Sequence, residues 1–134
     1  MSSPDRPDDH SIDQLTYAVI GCAMRIHSAL GNGFQEVIYQ RCLAHEFRKL
    51  GLAFAREVDQ EVFYDGIRVG KRRADFVVEG RLIVELKAVV ALQDVHLAQA
   101  KNYVVAYGSD DGLLFNFGAR SLEYRRVYGS RGRG

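Results

Sequence analysis

The chain has 134 residues, 47% of them apolar and 26% charged, which is ordinary for one soluble globular domain with enough chain to bury a core. A formal net charge of +1 selects neither an acidic nor a basic partner, and the two cysteines, Cys22 and Cys42, form no CxxC or CxxxH pattern, so neither a zinc site nor a disulfide framework is expected. The polar start MSSPDRPDDH lacks the apolar region of a signal peptide, and no apolar run approaches the roughly 18 residues of a membrane span, so a cytoplasmic protein with no membrane partner is expected.

Residues 1–10 and 129–134 read as disordered tails around a single domain over 11–128. Residues 11–30 carry Ile12, Leu15, Val19, Cys22, Ile26 and Leu30 at helical spacing, with Ser11 as N-cap, Gln14 three residues on, and Gly31-Asn32-Gly33 as the stop. A second helix spans 34–50, with Val37, Ile38, Cys42, Leu43, Phe47 and Leu50 as its apolar face and Gly51 behind it. The period then changes from that of a helix to that of a strand. Asp65-Gly66 is a hairpin signal and Glu79-Gly80-Arg81 a second turn, so three antiparallel strands are expected at 54–64, 67–78 and 81–88. A third helix over 93–107 carries Val95, Ala98, Asn102 and Val105 on one side and ends at Gly108; GLLFNFG and SLEYRRVY follow as two more strands. A helix placed after a meander and before another strand crosses back over the sheet. The expected fold is therefore α/β: a mixed sheet containing a three-stranded antiparallel meander, with helices on both faces.

Within the meander, RADFVVEGRLIVELK places three charges, Asp75, Glu85 and Lys87, in strands that should be buried. Glu85 and Lys87 are two apart and share a face, opposite Leu82, Val84 and Leu86. The place of Asp75 depends on the turn. A two-residue loop would pair it with Val84 and point it to the wrong face, whereas a three-residue loop, Glu79-Gly80-Arg81, would pair it with Glu85; Gly80 can supply the left-handed residue that the longer loop wants. Adjacent carboxylates repel unless a positive charge intervenes. Two oxygen ligands side by side suit a hard divalent cation, and a lysine one pleat on could neutralise charge developing on a phosphate. Phosphodiester hydrolysis needs that combination. The bland alternative, a solvated strand face with a Glu–Lys pair, fits poorly where helices should cover the sheet. Lys71-Arg72-Arg73 and the C-terminal arginines read by default as solvated charge and functionally as phosphate attraction.

Asp75, nine intervening residues and Glu85-Leu86-Lys87 resemble the D…ExK signature of the PD-(D/E)XK nuclease superfamily, with Ala74 in place of the nominal proline, a departure commonly tolerated there. Gly33, Glu36 and Tyr39 in GFQEVIY resemble the name-giving motif of the GxxExxY proteins, a small bacterial branch of that superfamily. Gln99 to Tyr103, QAKNY, is similar to the QxxxY motif of RecB-like nucleases. The order of elements also matches the superfamily core, over residues 11–127. The resemblance implies a restriction-endonuclease-like core, a Mg²⁺ or Mn²⁺ cofactor, and nucleic acid, DNA before RNA, as substrate. It implies Asp75, Glu85 and the Leu86 carbonyl as metal ligands. Glu36 would be a further ligand or a group orienting the attacking water, and Lys87 would position that water and stabilise the transition state. Gln99 and Tyr103 would touch the phosphate or brace the lysine.

His96 shares a helical stripe with Gln99 and Tyr103 and is assigned a supporting substrate-side role. Tyr39 is assigned to the same side of the site, with packing as its stronger alternative, and Glu36 in a first helical turn is favoured by the helix dipole in any case. Asn116, a polar residue within LLFNF, either caps a backbone group or edges the site. A chain of this size would grip a duplex better as a homodimer, with the tyrosine-bearing last strand as the interface. The second functional reading is a nucleic-acid-binding or protein-interaction module that keeps the fold and lacks turnover.

Overall fold

The computed structural model describes residues 9–129; of the expected tails at 1–10 and 129–134, residues 1–8 and 130–134 lie outside the described residues, whereas Asp9 and His10 belong to a helix and the Gly129 N–H donates to the Asp110 carbonyl at 3.1 Å. In chain order the elements are α1 (Asp9–Leu30), α2 (Glu36–Lys49), β1 (Phe54–Tyr64), β2 (Ile67–Val78), β3 (Leu82–Lys87), α3 (Asp94–Tyr107), β4 (Asp111–Asn116) and β5 (Glu123–Tyr128). The strands form one sheet in the order β1-β2-β3-β4-β5. β3 and β4 run parallel and every other pair antiparallel, because α3 carries the chain back across the sheet between them. Among the described residues no helix is long and apolar enough to cross a membrane.

The two core layers follow from strand alternation. On one face Phe76, Val84, Leu86, Leu113 and Phe115 pack against α1 and α2. On the other, Val77, Ile83, Leu114 and Val127 pack against Ala100 and Val104 of α3. β4 is therefore buried along its whole length, and β3 up to Lys87. Each fully buried large apolar side chain contributes roughly 1.5–3 kcal/mol, so this double-sided centre anchors the polar groups set into it.

Three local expectations are corrected. α1 is described from Asp9, so Ser11 lies within the helix rather than ahead of it. α2 buries Tyr39, Gln40, Leu43, Ala44 and Phe47, while Val37 and Leu50 are exposed. Ile38 and Cys42 are partly buried and line a cleft of about 460 Å³ against α1. α3 turns Val95 and Val105 outward and buries Ala100 and Val104. Small residues decide this approach: a Cβ on Gly112 of β4 would come within 2.4 Å of Val104 Cγ2.

Candidate active site

The β2–β3 hairpin has the three-residue turn. Val78 pairs with Leu82 and Phe76 with Val84, which places Asp75 opposite Glu85. Glu79 and Gly80 both adopt left-handed conformations, φ 55° and 69°, which a loop of this length requires.

The β2–β3 ladder ends at Phe76 and Val84, and the β1–β2 ladder passes from Arg56–Phe76 to Val58–Ala74 without a Glu57–Asp75 pair. Glu57 there has φ 53°. Alternation breaks at the same point: Phe76 joins the α1/α2 core and Ala74 the α3 core. Asp75 thus sits at a defect in the sheet where two strands part, and its carboxylate is not confined to one face. The two acids fill the gap with their own oxygens. Glu85 Oε2 accepts from the Asp75 backbone N–H at 3.0 Å, and Asp75 Oδ2 accepts from the Leu86 N–H at 2.8 Å. Carboxylates do here what ladder carbonyls do elsewhere, which satisfies the backbone and leaves lone pairs over.

Glu85 is 6% exposed. Burial, and then the negative charge of Asp75, holds its carboxyl well above the usual range. Asp75 is raised by burial as well, against the pull of the Leu86 N–H. A buried acid against a half-buried one holds a proton that isolated acids would lose. Lys87, half-buried and two residues beyond Glu85, draws both downward. Glu36 arrives from α2. Its residue surface is open, yet partial desolvation of the carboxyl and repulsion from Asp75 raise it, while Lys87 and the Ala88 backbone N–H lower it. Glu36, Asp75, Glu85 and Lys87 therefore lie in one electrostatic neighbourhood.

The approach of Glu36 is built by the loop before it. Gly33 has φ 117°, a conformation that favours glycine, and Gln35 is extended, so α2 begins at Glu36. Tyr39 is fully buried and stacks on Phe117 at 4.6 Å. Its hydroxyl donates to the Gly31 carbonyl at 2.7 Å and accepts from the Phe34 N–H at 3.2 Å. Of the two readings of Tyr39, packing is the one that fits, because the ring is inaccessible and the hydroxyl is occupied; it locks the loop that presents Glu36.

α3 forms the other wall. Tyr103 is half-buried, and burial followed by the charge of Glu85 raises its phenol. Arg72 lies 4.7 Å over its ring and donates to the Asn102 carbonyl at 2.7 Å, tying α3 to β2. Gln99 is exposed one turn earlier on α3. His96 Nδ1 accepts from the Gln93 N–H at 2.9 Å and completes a capping box, so the expected substrate-side histidine serves as a helix cap.

Asn116 resolves in favour of backbone capping. It is fully buried beside Lys87 in the parallel register; its Oδ1 accepts from Val89 N–H at 2.9 Å and Gly118 N–H at 3.0 Å, and its Nδ2 donates to Glu123 at 2.9 Å. Phe117 N–H donates to the Lys87 carbonyl at 2.9 Å. A Cβ on Gly118 would fall 2.4 Å from the Val89 carbonyl, so this close packing behind Lys87 needs glycine. Sequence reasoning also passed over Gln40, whose Nε2 donates to Asp75 Oδ1 at 3.3 Å and whose Oε1 accepts from Arg56 Nη2 at 2.7 Å. The available signal was spacing, since Gln40 is four residues after Glu36 and shares its helix face.

Among the described residues no three His, Cys, Asp or Glu side chains form a ready metal cage. The donor set nevertheless fits a hard divalent cation: Glu85 is buried, Asp75 is half-buried against it, and Glu36 is a third oxygen donor at the margin. The α1–α2 cleft, lined by residues such as Ile26, Ile38, Arg41 and His45, includes none of these groups.

No curated protein matches the chain significantly. Among solved structures, the crystal structure of SSO0001 is similar, with a TM-score of 0.55 at 17% identity over 70% of this chain and 50% of that one. This chain thus spans half the length of that protein, and the likeness bears on the fold, a restriction-endonuclease-like mixed sheet flanked by helices. The sequence profile of the PD-(D/E)XK nuclease superfamily matches residues 13–127, so the acids parted at the sheet defect and the lysine beyond them lie in a chain that belongs to that superfamily.

Proposed function

We propose that the protein is a divalent-metal-dependent nuclease of the GxxExxY branch that hydrolyses phosphodiester bonds, with DNA as its substrate. The observation that carries this reading is the contact of Asp75 with Glu85 where β2 and β3 separate, with Lys87 two residues on and Glu36 arriving from α2. Asp75, Glu85, Glu36 and the Leu86 carbonyl would hold Mg²⁺ or Mn²⁺, which when bound supplies Lewis acidity toward the phosphate and the water. Lys87 orients the attacking water with its ammonium and neutralises charge that grows on the phosphoryl oxygens. Glu36 aligns that water from the open side. Tyr103 and Gln99 hold the scissile phosphate from α3. A homodimer through the edge strand β5, which carries Tyr124 and Tyr128, would extend the grip on a duplex; sedimentation of the full chain should then give twice the monomer mass.

The test is cleavage of single- and double-stranded DNA and RNA in Mn²⁺. Wild type should cut DNA, and Lys87→Ala should lose at least about 10²-fold in rate, the scale for removing one group that stabilises transition-state charge. Cutting of RNA alone would overturn the substrate assignment. Binding without cutting, equal in wild type and Lys87→Ala, would replace the nuclease by a binding module on the same fold.

A further inference from the structure

Arg56 is placed unusually for a partly buried arginine. Its Nη2 donates to Gln40 Oε1 at 2.7 Å, its guanidinium lies 5.8 Å over the Phe76 ring, and its buried Nε has no hydrogen-bond partner. Among the described residues it spends its charge on an amide rather than on a carboxylate. Gln40, 8% exposed, passes the contact on: its Nε2 donates to Asp75 Oδ1 at 3.3 Å. The link runs from β1 through α2 to β2 and ends on the acid at the sheet defect.

The chemistry of the three groups gives the link a direction. A guanidinium only donates, so it can meet Gln40 only through the amide oxygen. That choice turns the amide nitrogen toward Asp75, which as a carboxylate can only accept. Without Arg56 the amide is free to rotate and present its oxygen to Asp75, which would repel. With it, Asp75 is gripped on both oxygens, Oδ1 by Gln40 and Oδ2 by the Leu86 N–H. The carboxylate plane is then set although Asp75 lies where neither ladder holds it.

We infer that Gln40 and Arg56 are positioning residues that fix the Asp75 carboxylate in the orientation needed to receive a divalent cation. This rests on the metal-site reading above. Partners that orient ligands in this way typically alter metal affinity by about 10–100-fold when removed.

The experiment is Mn²⁺ binding by calorimetry on the full chain, with melting curves recorded without metal. Gln40→Met should weaken Mn²⁺ binding by about 10-fold, and Arg56→Met should weaken it in the same direction and by less. In Gln40→Met/Arg56→Met the guanidinium is removed together with its acceptor, so this variant should melt closer to wild type than Gln40→Met does. It should bind Mn²⁺ no more weakly than Gln40→Met alone, because the two residues act in series. Wild-type affinity in the double variant would overturn the positioning role while leaving the metal site intact. Losses that multiply in the double variant would overturn the serial link. No Mn²⁺ uptake by wild type would overturn the metal site and the relay with it.

Discussion

Glu85 carries the clearest consequence at the scale of single residues. Its folded-state carboxyl lies above its ordinary value of 4.5, chiefly through burial and then through Asp75. A group raised in this way binds its proton more tightly in the folded state, so its contribution is complete below the unfolded value and is lost as pH rises toward the folded one. Each unit of displacement is worth about 1.4 kcal/mol. Glu85→Gln keeps an acceptor for the Asp75 N–H and cannot ionise. Its melting temperature should therefore match wild type near pH 4.5 and exceed it increasingly at neutral and alkaline pH, by about 4 °C or more. A difference that stayed constant with pH would contradict the buried pair. The same variant should lose metal binding, since a charged ligand has gone. Stability and cation affinity are set against each other at this position.

Among the elements, the loop and first turn of α2 illustrate how a short motif acts through the backbone. Gly33 supplies φ 117°, Glu36 opens the helix, and Tyr39 ties the loop through Gly31 and Phe34. None of the three needs to touch the substrate for the first and third to matter. Tyr39→Phe keeps the stacking on Phe117 and removes two part-buried hydrogen bonds, which should cost about 0.5–1.5 kcal/mol each in denaturant unfolding. Gly33→Ala forces a side chain into a conformation that L residues avoid and should cost about 1–3 kcal/mol. Both should lower activity more than a surface substitution of equal stability cost, because Glu36 moves with the loop. α3 shows the converse. Its fully buried apolar anchors are Ala100 and Val104, with Leu97 and Tyr103 packed partly against the same cluster.

At the scale of the molecule, a charge-poor centre covered on both sides holds an acidic defect at one end of β3. Cations that bind only this folded arrangement should stabilise it, by about 2.7 kcal/mol at a hundredfold excess over Kd. Millimolar Mn²⁺ should thus raise the melting temperature of wild type, and Asp75→Ala with Glu85→Ala should abolish the rise. The element order, the crossover of α3 and the mixed sheet were legible in the sequence, because period, turn residues and connection rules are local or nearly so. The acids and the lysine were legible as charges out of place. The turn over Glu79-Gly80-Arg81 was one of two readings, and only the paired strands decided it. The buried face of α3 and part of that of α2, where Leu43 and Phe47 were read correctly, were misread because apolar stripes compete on a helix, and packing against α1 or Gly112 selects among them. Tyr39 takes the packing alternative and His96 a capping one, because the Tyr39 hydroxyl and His96 Nδ1 are engaged by neighbouring backbone that only the folded loop and helix start bring within reach. Gln40 and Arg56, 16 residues apart in the chain, had no common signal at all, since hydrogen bonds between side chains on different elements exist only once those elements are packed. Local periodicity determined what the elements are; three-dimensional closure decided which polar atoms meet at Asp75.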